Sequence, residues 1–333
     1  MKKYPPYDIT NKMVKFLSDI MIKIGQTSNF KNLNSFPELR RKTRIKSIHS
    51  SLAIENNQLS LFQVEDVING KVVIGERKDI QEVKNAYKAY NEIENIDPYS
   101  INELKNMHSI MTFLTISDSG KFRNHGEAVF DGNKVIFMAP PPDMVDNLMN
   151  QLFIWMDKNK NEINPLILSS IFHYEFVFIH PFSDGNGRMA RLWQTAILSK
   201  WNNIFKYIPV ESLIKKNQKE YYKVIDNCNK EGNFNEFIEF MLKMINKAFD
   251  EIIAETTQET TQETTQETTQ ETTQENIINL IKENPEITQA KMAKILGITR
   301  DGISYNIKIM RKKRLIKREG STKTGIWKVI DRK

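Results

Sequence analysis

The chain has 333 residues, 40% of them hydrophobic and 27% charged, a composition typical of a folded protein rather than a disordered one. Its single cysteine, Cys228, excludes an internal disulfide and a zinc site made of several thiolates, and we expect an ordinary core position for it. No stretch approaches the roughly eighteen uncharged apolar residues of a membrane span, so we expect no membrane association and a cytoplasmic protein.

The net charge of +7 is unevenly distributed along the chain. Residues 300–333 contain twelve Lys and Arg and three Asp and Glu, a net charge of +9, which leaves 7 − 9 = −2 for the rest. The basic character therefore belongs to the C-terminal part, and it predicts a polyanionic partner for that part.

A repeat separates that basic part from the rest of the chain. Residues 255–274 repeat ETTQ five times, without an apolar side chain that could be buried. We therefore predict a flexible linker over residues 251–275, between an N-terminal body and a C-terminal domain of residues 276–333. The body itself divides into an N-terminal helical region, 1–100, and a central core, 101–250.

The body has the apolar pattern of helices. Apolar residues recur at intervals of three and four in segments such as 144–156 and 234–245, and Ser60 with Gln63 predicts a capping box at a helix start. One segment differs, because EAVFDGNKVIF at 127–137 places Asp-Gly between two β-prone runs, which predicts a hairpin. We therefore expect a mostly α fold, a helical bundle with one small β-hairpin.

The C-terminal domain has the pattern of a winged helix-turn-helix. A helix ends before Pro285, a second begins at Thr288, and a third follows Thr299, with an alternating two-stranded segment behind it. A basic protein-docking module or a dimerisation unit is the alternative. For DNA, the candidate contacts lie at the start or on one face of the third helix: Thr299, Arg300, Ser304, Tyr305 and Lys308.

The stretch HPFSDGNGRMAR, residues 180–191, concentrates groups that can bind phosphate. The GNG turn at 185–187 presents consecutive N–H groups, and a helix that starts at Arg188 would add its positive end. Arg188 and Arg191 lie three residues apart and can both face phosphate oxygens. These residue types together predict a phosphate cradle.

Two further side chains give this stretch chemistry. Asp184 precedes the turn and can hold Mg²⁺ against the same phosphates, and His180 can take a proton near neutral pH. A dinucleotide-binding loop is a poor alternative, because helical spacing precedes the loop and that fold requires neither side chain. A metal site with His173 is excluded by about 10.5 Å of helix rise, so His173 is expected to be an ordinary buried histidine.

This stretch resembles the signature of Fic-domain proteins, HPFxDGNGRxxR, and matches it at every specified position. The resemblance covers about residues 20–250 and includes GKFR at 120–123, the hairpin, and EYYKVIDNCNKEG at 220–232. It implies that region 101–250 is a Fic catalytic core, in which His180 deprotonates a protein hydroxyl that then attacks the α-phosphorus of MgATP, so that AMP is transferred to Ser, Thr or Tyr.

The resemblance also implies which residues bind ligands. Asp184 would hold the Mg²⁺, and the hairpin would be a flap that aligns the target through Val129, Phe130 and Asp131, although Asp131 and Gly132 follow GKFR one position later than the family pattern has them. The residues implied in ATP binding are Glu55, Asp184, Gly185, Asn186, Gly187, Arg188, Arg191, Tyr221 and Asn229.

The segment SLAIEN, 51–56, resembles an inhibitory motif found in some Fic proteins, [S/T]xxxE[G/N]. In this motif Ser51, Glu55 and Asn56 would form the inhibitory helix end, with Glu55 on Arg191 in place of an ATP phosphate. We therefore expect an autoinhibited enzyme that modifies a protein partner and itself, with a homodimer left open. Two alternatives remain: removal of AMP from a target with the help of Glu55, and a DNA-binding transcriptional regulator whose body senses ATP.

Overall fold

A computed structural model of the chain describes residues 5–29, 37–131, 134–320 and 325–330. Two compact units divide the chain, Met1–Ile253 and Ala254–Lys333. The helices are α1 (Asn11–Asn29), α2 (Pro37–Ile54), α3 (Leu61–Ile68), α4 (Arg77–Asn91), α5 (Ile101–Met111), α6 (Pro142–Asn159), α7 (Pro165–Ile179), α8 (Asn186–Trp201), α9 (Val210–Lys216), α10 (Gln218–Glu231), α11 (Asn235–Glu283), α12 (Gln289–Leu296) and α13 (Arg300–Lys312), with a 3-10 helix at Asn203–Tyr207. The strands are β1 (Ala128–Asp131), β2 (Lys134–Met138), β3 (Ile316–Glu319) and β4 (Ile326–Val329).

The mostly helical fold confirms the prediction from apolar spacing. The first unit is built around α7 and α8, which pack against each other and are buried on nearly every face. A helix that is apolar all round belongs in a core, and α7 has only the buried Glu175 as a charged residue. The loop that joins these two central helices, residues 180–185, is therefore held rigidly at both ends.

Several local signals of the sequence are present as predicted. Ser60 caps α3, where its side chain accepts from the amide of Gln63 and the Gln63 side chain returns the bond. The hairpin forms between β1 and β2 in antiparallel register, with Val129 opposite Phe137 and an irregularity after Val129. Gly132, the predicted turn residue, lies outside the described residues.

The repeat is helical, so the prediction of a flexible coil is wrong. Residues 255–274 lie inside α11, which runs without interruption from Asn235 to Glu283. Glu and Gln are good helix formers and Thr costs less than about 0.7 kcal/mol per residue relative to Ala. Helix formation over the repeat also requires no separate nucleation step, because the segments on both sides are anchored in hydrophobic cores. The anchoring residues are Phe249 and Ile252 before the repeat and Ile277 and Ile281 after it.

The second unit is a winged helix-turn-helix, as predicted. Thr288 and Thr299 cap α12 and α13 with their side chains, and Gly297 ends α12 in the left-handed conformation. Strands β3 and β4 pair antiparallel, and the Trp327 indole donates to the carbonyl of Ile287, which fixes the wing on the helices. Within the described ranges, no helix combines the length and apolar character needed to cross a bilayer.

Candidate active site

The loop between α7 and α8 turns through two left-handed residues. His180 ends α7 with φ 52° and ψ 58°, and Gly185 precedes α8 with φ 83°. Positive φ is uncommon for a residue with a side chain, so His180 is held there by its surroundings. Helix α8 begins at Asn186, two residues earlier than predicted, which places the amides of Gly187 and Arg188 in its first turn, where no helical carbonyl is available to them.

The imidazole of His180 is set up as a base. Its Nδ1 lies 3.3 Å from the carbonyl oxygen of Val177, a geometry that assigns the proton to Nδ1 and leaves the lone pair on Nε2. Burial lowers the pKa of His180 below 6.5, against smaller opposing contributions from the Val177 bond and the charge of Glu127. The ring is therefore neutral at pH 7 and can accept a proton at Nε2.

The guanidinium of Arg123, the last residue of GKFR, fixes the backbone of this base. It is buried, and its Nε donates to the carbonyl of His180 at 2.7 Å. Its other nitrogens donate to the carbonyls of His125 at 2.8 Å and Pro140 at 2.6 Å, which lie on either side of the hairpin. A single side chain thus connects both ends of the hairpin to the loop of residues 180–185.

A second buried side chain, His108 on α5, was not predicted from the sequence. Its Nδ1 accepts from the amide of Gly120 at 2.9 Å, so its Nε2 donates to the carbonyl of Asp184 at 2.9 Å. Its ring stacks on Phe182, with 3.6 Å between centroids. Burial lowers the pKa of His108 to about 4, so the neutral form that makes both bonds persists at pH 7.

Asp184 and Arg188 form an ion pair at the start of α8. Asp184 Oδ1 accepts from Arg188 Nη2 at 2.8 Å, and its Oδ2 lies 3.9 Å from Nζ of Lys78. Burial alone would raise the pKa of Asp184, but the charge and hydrogen bond of Arg188 leave that pKa below its usual value. Oδ2, with this one distant cation, is the oxygen available to a metal ion. Arg188 is also paired with Glu82, at 3.1 Å.

The structure brings the SLAIEN segment onto Arg191. The guanidinium donates to Ser51 Oγ at 3.0 Å, to the Ser51 carbonyl at 3.0 Å and to Glu55 Oε1 at 2.7 Å. Burial would lower the pKa of Arg191, but the charge and hydrogen bond of Glu55, together with contributions from Tyr221 and Tyr90, raise that pKa above its usual value. Asn56 has φ 68°, which explains physically why this position suits Gly or Asn.

The carboxylate of Glu55 also covers Gly187, in the turn that the sequence predicts to bind phosphate. A Cβ added at Gly187 would overlap Glu55 Oε1 and lie 3.0 Å from Glu55 Cδ and 3.1 Å from Arg191 Nη1. The glutamate therefore occupies the space directly over the first turn of α8, beside the cation that a phosphate would use.

Three predicted ATP-binding residues have their side chains engaged inside the protein. The side-chain amide of Asn186 accepts from the backbone N–H of Phe182 at 2.9 Å and donates to the Phe182 carbonyl at 2.7 Å. Only the backbone N–H of Asn186 can therefore face a ligand. The hydroxyl of Tyr221 is 2.9 Å from Nε2 of His173. Asn229 accepts from the hydroxyl of Tyr174 at 2.7 Å.

The neighbouring Tyr222 is the exposed ring at this position, and it was not predicted from the sequence. It is 48% exposed, whereas Tyr221 is 2% exposed and has its pKa raised by burial. Burial raises the pKa of Tyr222, and the charge of Glu55 contributes to the same shift. Tyr221, Val224 and Cys228 recur at intervals of three and four, and this helical spacing could have signalled that Tyr221 faces inward and Tyr222 outward.

The residues predicted to form the flap lie on the first strand of the hairpin. Val129, Phe130 and Asp131 lie on β1, whose backbone pairing is described but whose side chains are not.

On α13 the buried face consists of Ile303, Asn306, Ile307 and Met310. The five DNA-contact candidates, Thr299, Arg300, Ser304, Tyr305 and Lys308, are all exposed.

The first unit is helical and places His180 at the start of the loop that leads into α8, and the second unit is a winged helix-turn-helix. A model of the Fic/DOC family matches residues 98–198, and a model of the MarR family matches residues 272–325. The crystal structure of a Fic family protein from Desulfovibrio desulfuricans G20 is 34% identical, covers 99% of both chains and has a TM-score of 0.75. The chain belongs to the Fic family.

More distant relatives agree with this assignment. The protein adenylyltransferase Fic of Nematostella vectensis is 25% identical over 223 residues, which are 64% of this chain and 50% of that relative. The chain therefore spans about half the length of that curated relative. Fic-1 from C. elegans, 21% identical with a TM-score of 0.62 over 74% of this chain and 73% of its own, shares the fold. The curated relatives support AMP transfer at the level of the family.

Proposed function

We propose that this protein transfers AMP from MgATP to a Ser, Thr or Tyr hydroxyl of a protein, including its own chain, and that Glu55 inhibits the reaction. The observation that carries the proposal is the position of His180, whose free Nε2 lies on the same rigid loop that leads into the first turn of α8. One short segment thus offers a base for a hydroxyl and unpaired amides for a phosphate.

The reaction follows from this placement. Nε2 of His180 takes the proton of the target hydroxyl, and the hydroxyl oxygen forms a bond to the α-phosphorus. The bond from the α-phosphorus to the oxygen that bridges to the β-phosphate breaks, and pyrophosphate leaves. Backbone amides at Gly187 and Arg188 stabilise the charge on the phosphates, so the chain acts mainly through orientation and electrostatics.

The residues present fit a Mg²⁺ ion that arrives with the nucleotide. No group of three or more His, Cys, Asp or Glu is close enough to hold a metal among the described residues. Mg²⁺ needs none when one carboxylate and the substrate phosphates share it, and Asp184 Oδ2 is such a carboxylate oxygen. When bound, the ion would neutralise phosphate charge.

The inhibitory role of Glu55 is supported by two contacts. Its carboxylate is paired with Arg191 and lies over Gly187. The carboxylate of Glu55 would repel a γ-phosphate from Arg191, because it already occupies that cation. ATP would then bind in a pose that does not align its α-phosphorus with the target oxygen.

Labelled ATP tests this proposal. Glu55→Gly is expected to raise incorporation of labelled AMP, including self-modification, several-fold or more over wild type, and His180→Ala to abolish it in either background. The transferred group is identified by mass, as an AMP adduct on Ser, Thr or Tyr. Absence of any gain with Glu55→Gly would contradict the inhibitory role, and a phosphate adduct would contradict AMP transfer.

The same carboxylate favours one alternative reaction. Glu55 is 35% exposed at its side chain and lies over the phosphate-binding turn, where it could orient a water molecule toward an AMP-modified target. Loss of AMP from a pre-modified protein on addition of wild type, but not of Glu55→Gly, would support this direction of the reaction.

A second function, DNA binding, is supported by the exposed polar face of α13. The five candidate residues point away from the core formed by Ile303, Ile307 and Met310, as in a recognition helix. Binding of a duplex by the full chain that weakens steeply with salt would support a regulator whose Fic body senses ATP. Both functions can reside in one chain.

A further inference from the structure

Glu82 on α4 is a buried carboxylate with no part in the Fic signature. Its Oε1 lies 3.1 Å from Nη1 of Arg188, and its Oε2 accepts from the side-chain amide of Asn57 at 2.9 Å. The side chains of Arg188 and Glu82 are only 2% and 9% exposed, and Asn57 is 7% exposed. A buried charge requires partners, so the position of the Glu82 carboxylate depends on both of these bonds.

Asn57 lies two residues after Glu55, in the turn that follows α2. The same amide donates to the carbonyl of Asp79 at 3.2 Å, and the amide of Gln58 donates to the Asp79 carboxylate at 3.0 Å. The start of α4 thus fastens the turn that carries the inhibitory glutamate. The side chain of Glu55 is held by its contact with Arg191.

Both arginines of the signature are therefore connected to one short segment, residues 51–57. Arg191 reaches it directly through Ser51 and Glu55, and Arg188 reaches it through Glu82. Arg188 is the cation that holds Glu82 in place, and Glu82 in turn holds Asn57. A phosphate that draws Arg188 away would deprive Glu82 of its counter-charge and disturb the turn.

We propose that Glu82 is a positioning residue that keeps the inhibitory turn on Arg191 and links its release to the engagement of Arg188. The inference rests on the proposed function, since it assigns a support to the inhibition by Glu55. It predicts that loosening Asn57 activates the enzyme, and that this activation requires Glu55.

Four proteins test the inference: wild type, Asn57→Ala, Glu55→Gly and the double variant. We expect Asn57→Ala to raise the initial rate of AMP incorporation at least threefold when Glu55 is present, and to change it less than 1.5-fold in the Glu55→Gly background. A merely structural effect of Asn57 would change both backgrounds alike. Equal changes in both, or no activation by Asn57→Ala, would overturn the role of Glu82.

The two proposals fail in distinguishable ways. If Glu55→Gly itself produces no gain, the inhibitory function is wrong, whereas a gain with Glu55→Gly and none with Asn57→Ala counts against Glu82 alone. Asn95→Ala is the matched control, because it removes a similar bond to Glu92, at 2.9 Å, on the surface. If Asn57→Ala does not fold, the isosteric Asn57→Asp places a like charge against Glu82 and is expected to activate at least as strongly.

Discussion

The carboxylate of Glu55 lies so close to Gly187 that the glycine has no room for a Cβ atom. Gly187 is in the first turn of α8, and Arg191 lies one turn further along the same helix. The glutamate therefore blocks the helix start by its volume and neutralises the arginine by its charge, and these two effects can be separated by substitution.

Glu55→Gln should separate them. The amide keeps the volume over Gly187 but loses the charge on Arg191, so we expect the rate of AMP transfer to lie between those of wild type and Glu55→Gly. Initial rates with labelled ATP at saturating Mg²⁺ measure this order. Glu92→Gln, on the surface, is the control, and a Glu55→Gln rate equal to that of Glu55→Gly would show that volume contributes nothing.

Ser51→Ala should weaken the anchor of Arg191. The substitution leaves a buried guanidinium N–H without the hydroxyl that accepts it at 3.0 Å, at a cost of about 1–3 kcal/mol in the free energy of unfolding. Urea denaturation followed by circular dichroism measures the change. Ser50→Ala, at a buried neighbouring serine, is the matched control, and equal losses in the two variants would argue against a special role of the Ser51 bond.

His108→Phe should disturb the catalytic loop without removing the stack on Phe182. The phenyl ring keeps the apolar contact but loses the bonds to Gly120 and to the Asp184 carbonyl. We expect a loss of AMP transfer of about tenfold or more in the Glu55→Gly background, since small displacements of positioned groups have large effects. Retention of full activity by this variant, with unchanged ATP affinity, would contradict a positioning role.

The pH dependence should reflect the buried base. The pKa of His180 is lowered, chiefly by burial, so the neutral form persists below pH 6.5 and the rate is lost only at more acidic pH, as the ring takes up a proton. Glu55 opposes this shift, so the Glu55→Gly variant should hold its rate to still lower pH. A rate profile of that variant from pH 5 to pH 8 checks this, and a midpoint above 6.5 would contradict it.

The C-terminal domain should bind DNA mainly through charge. We expect Lys308→Ala to weaken binding of a random-sequence duplex and to reduce the slope of log K against log salt by about 0.9, as for one lost phosphate contact. Fluorescence anisotropy at several salt concentrations measures the slope. Lys282→Ala, on α11, is the control, and an equal effect of the two variants would indicate a diffuse field rather than a contact of α13.

The central elements of the site could be predicted because their signals are local. The signature loop and the capping of α3 depend on residues within a few positions of one another. The contact of Glu55 with Arg191 joins distant segments, and it was predicted only because the resemblance to Fic proteins relates the two motifs. The outward positions of Arg300, Ser304, Tyr305 and Lys308 on α13 follow from helical periodicity alone.

The supports of the site could not be predicted in the same way. His108, Arg123 and Glu82 come from three different segments, and each acts by bonding a backbone or a charge brought near by tertiary packing. A lone histidine or glutamate in a helix carries no sign of its partner. The helical state of the repeat could not be predicted for a related reason. The composition of residues 255–274 contains no sign of the hydrophobic cores at either end of α11, and these cores supply the start of the helix.

The left-handed backbone at His180 restricts how an inactive form of the protein should be made. Alanine at φ 52° bears the strain of that conformation without the hydrogen bond of the imidazole, whereas asparagine adopts it more readily and glycine without strain. His180→Asn is therefore the better bait for capturing a target, because it removes the base while leaving the docking surface of the native loop intact. His180, the proposed base, thus occupies a position that backbone geometry alone would assign to glycine.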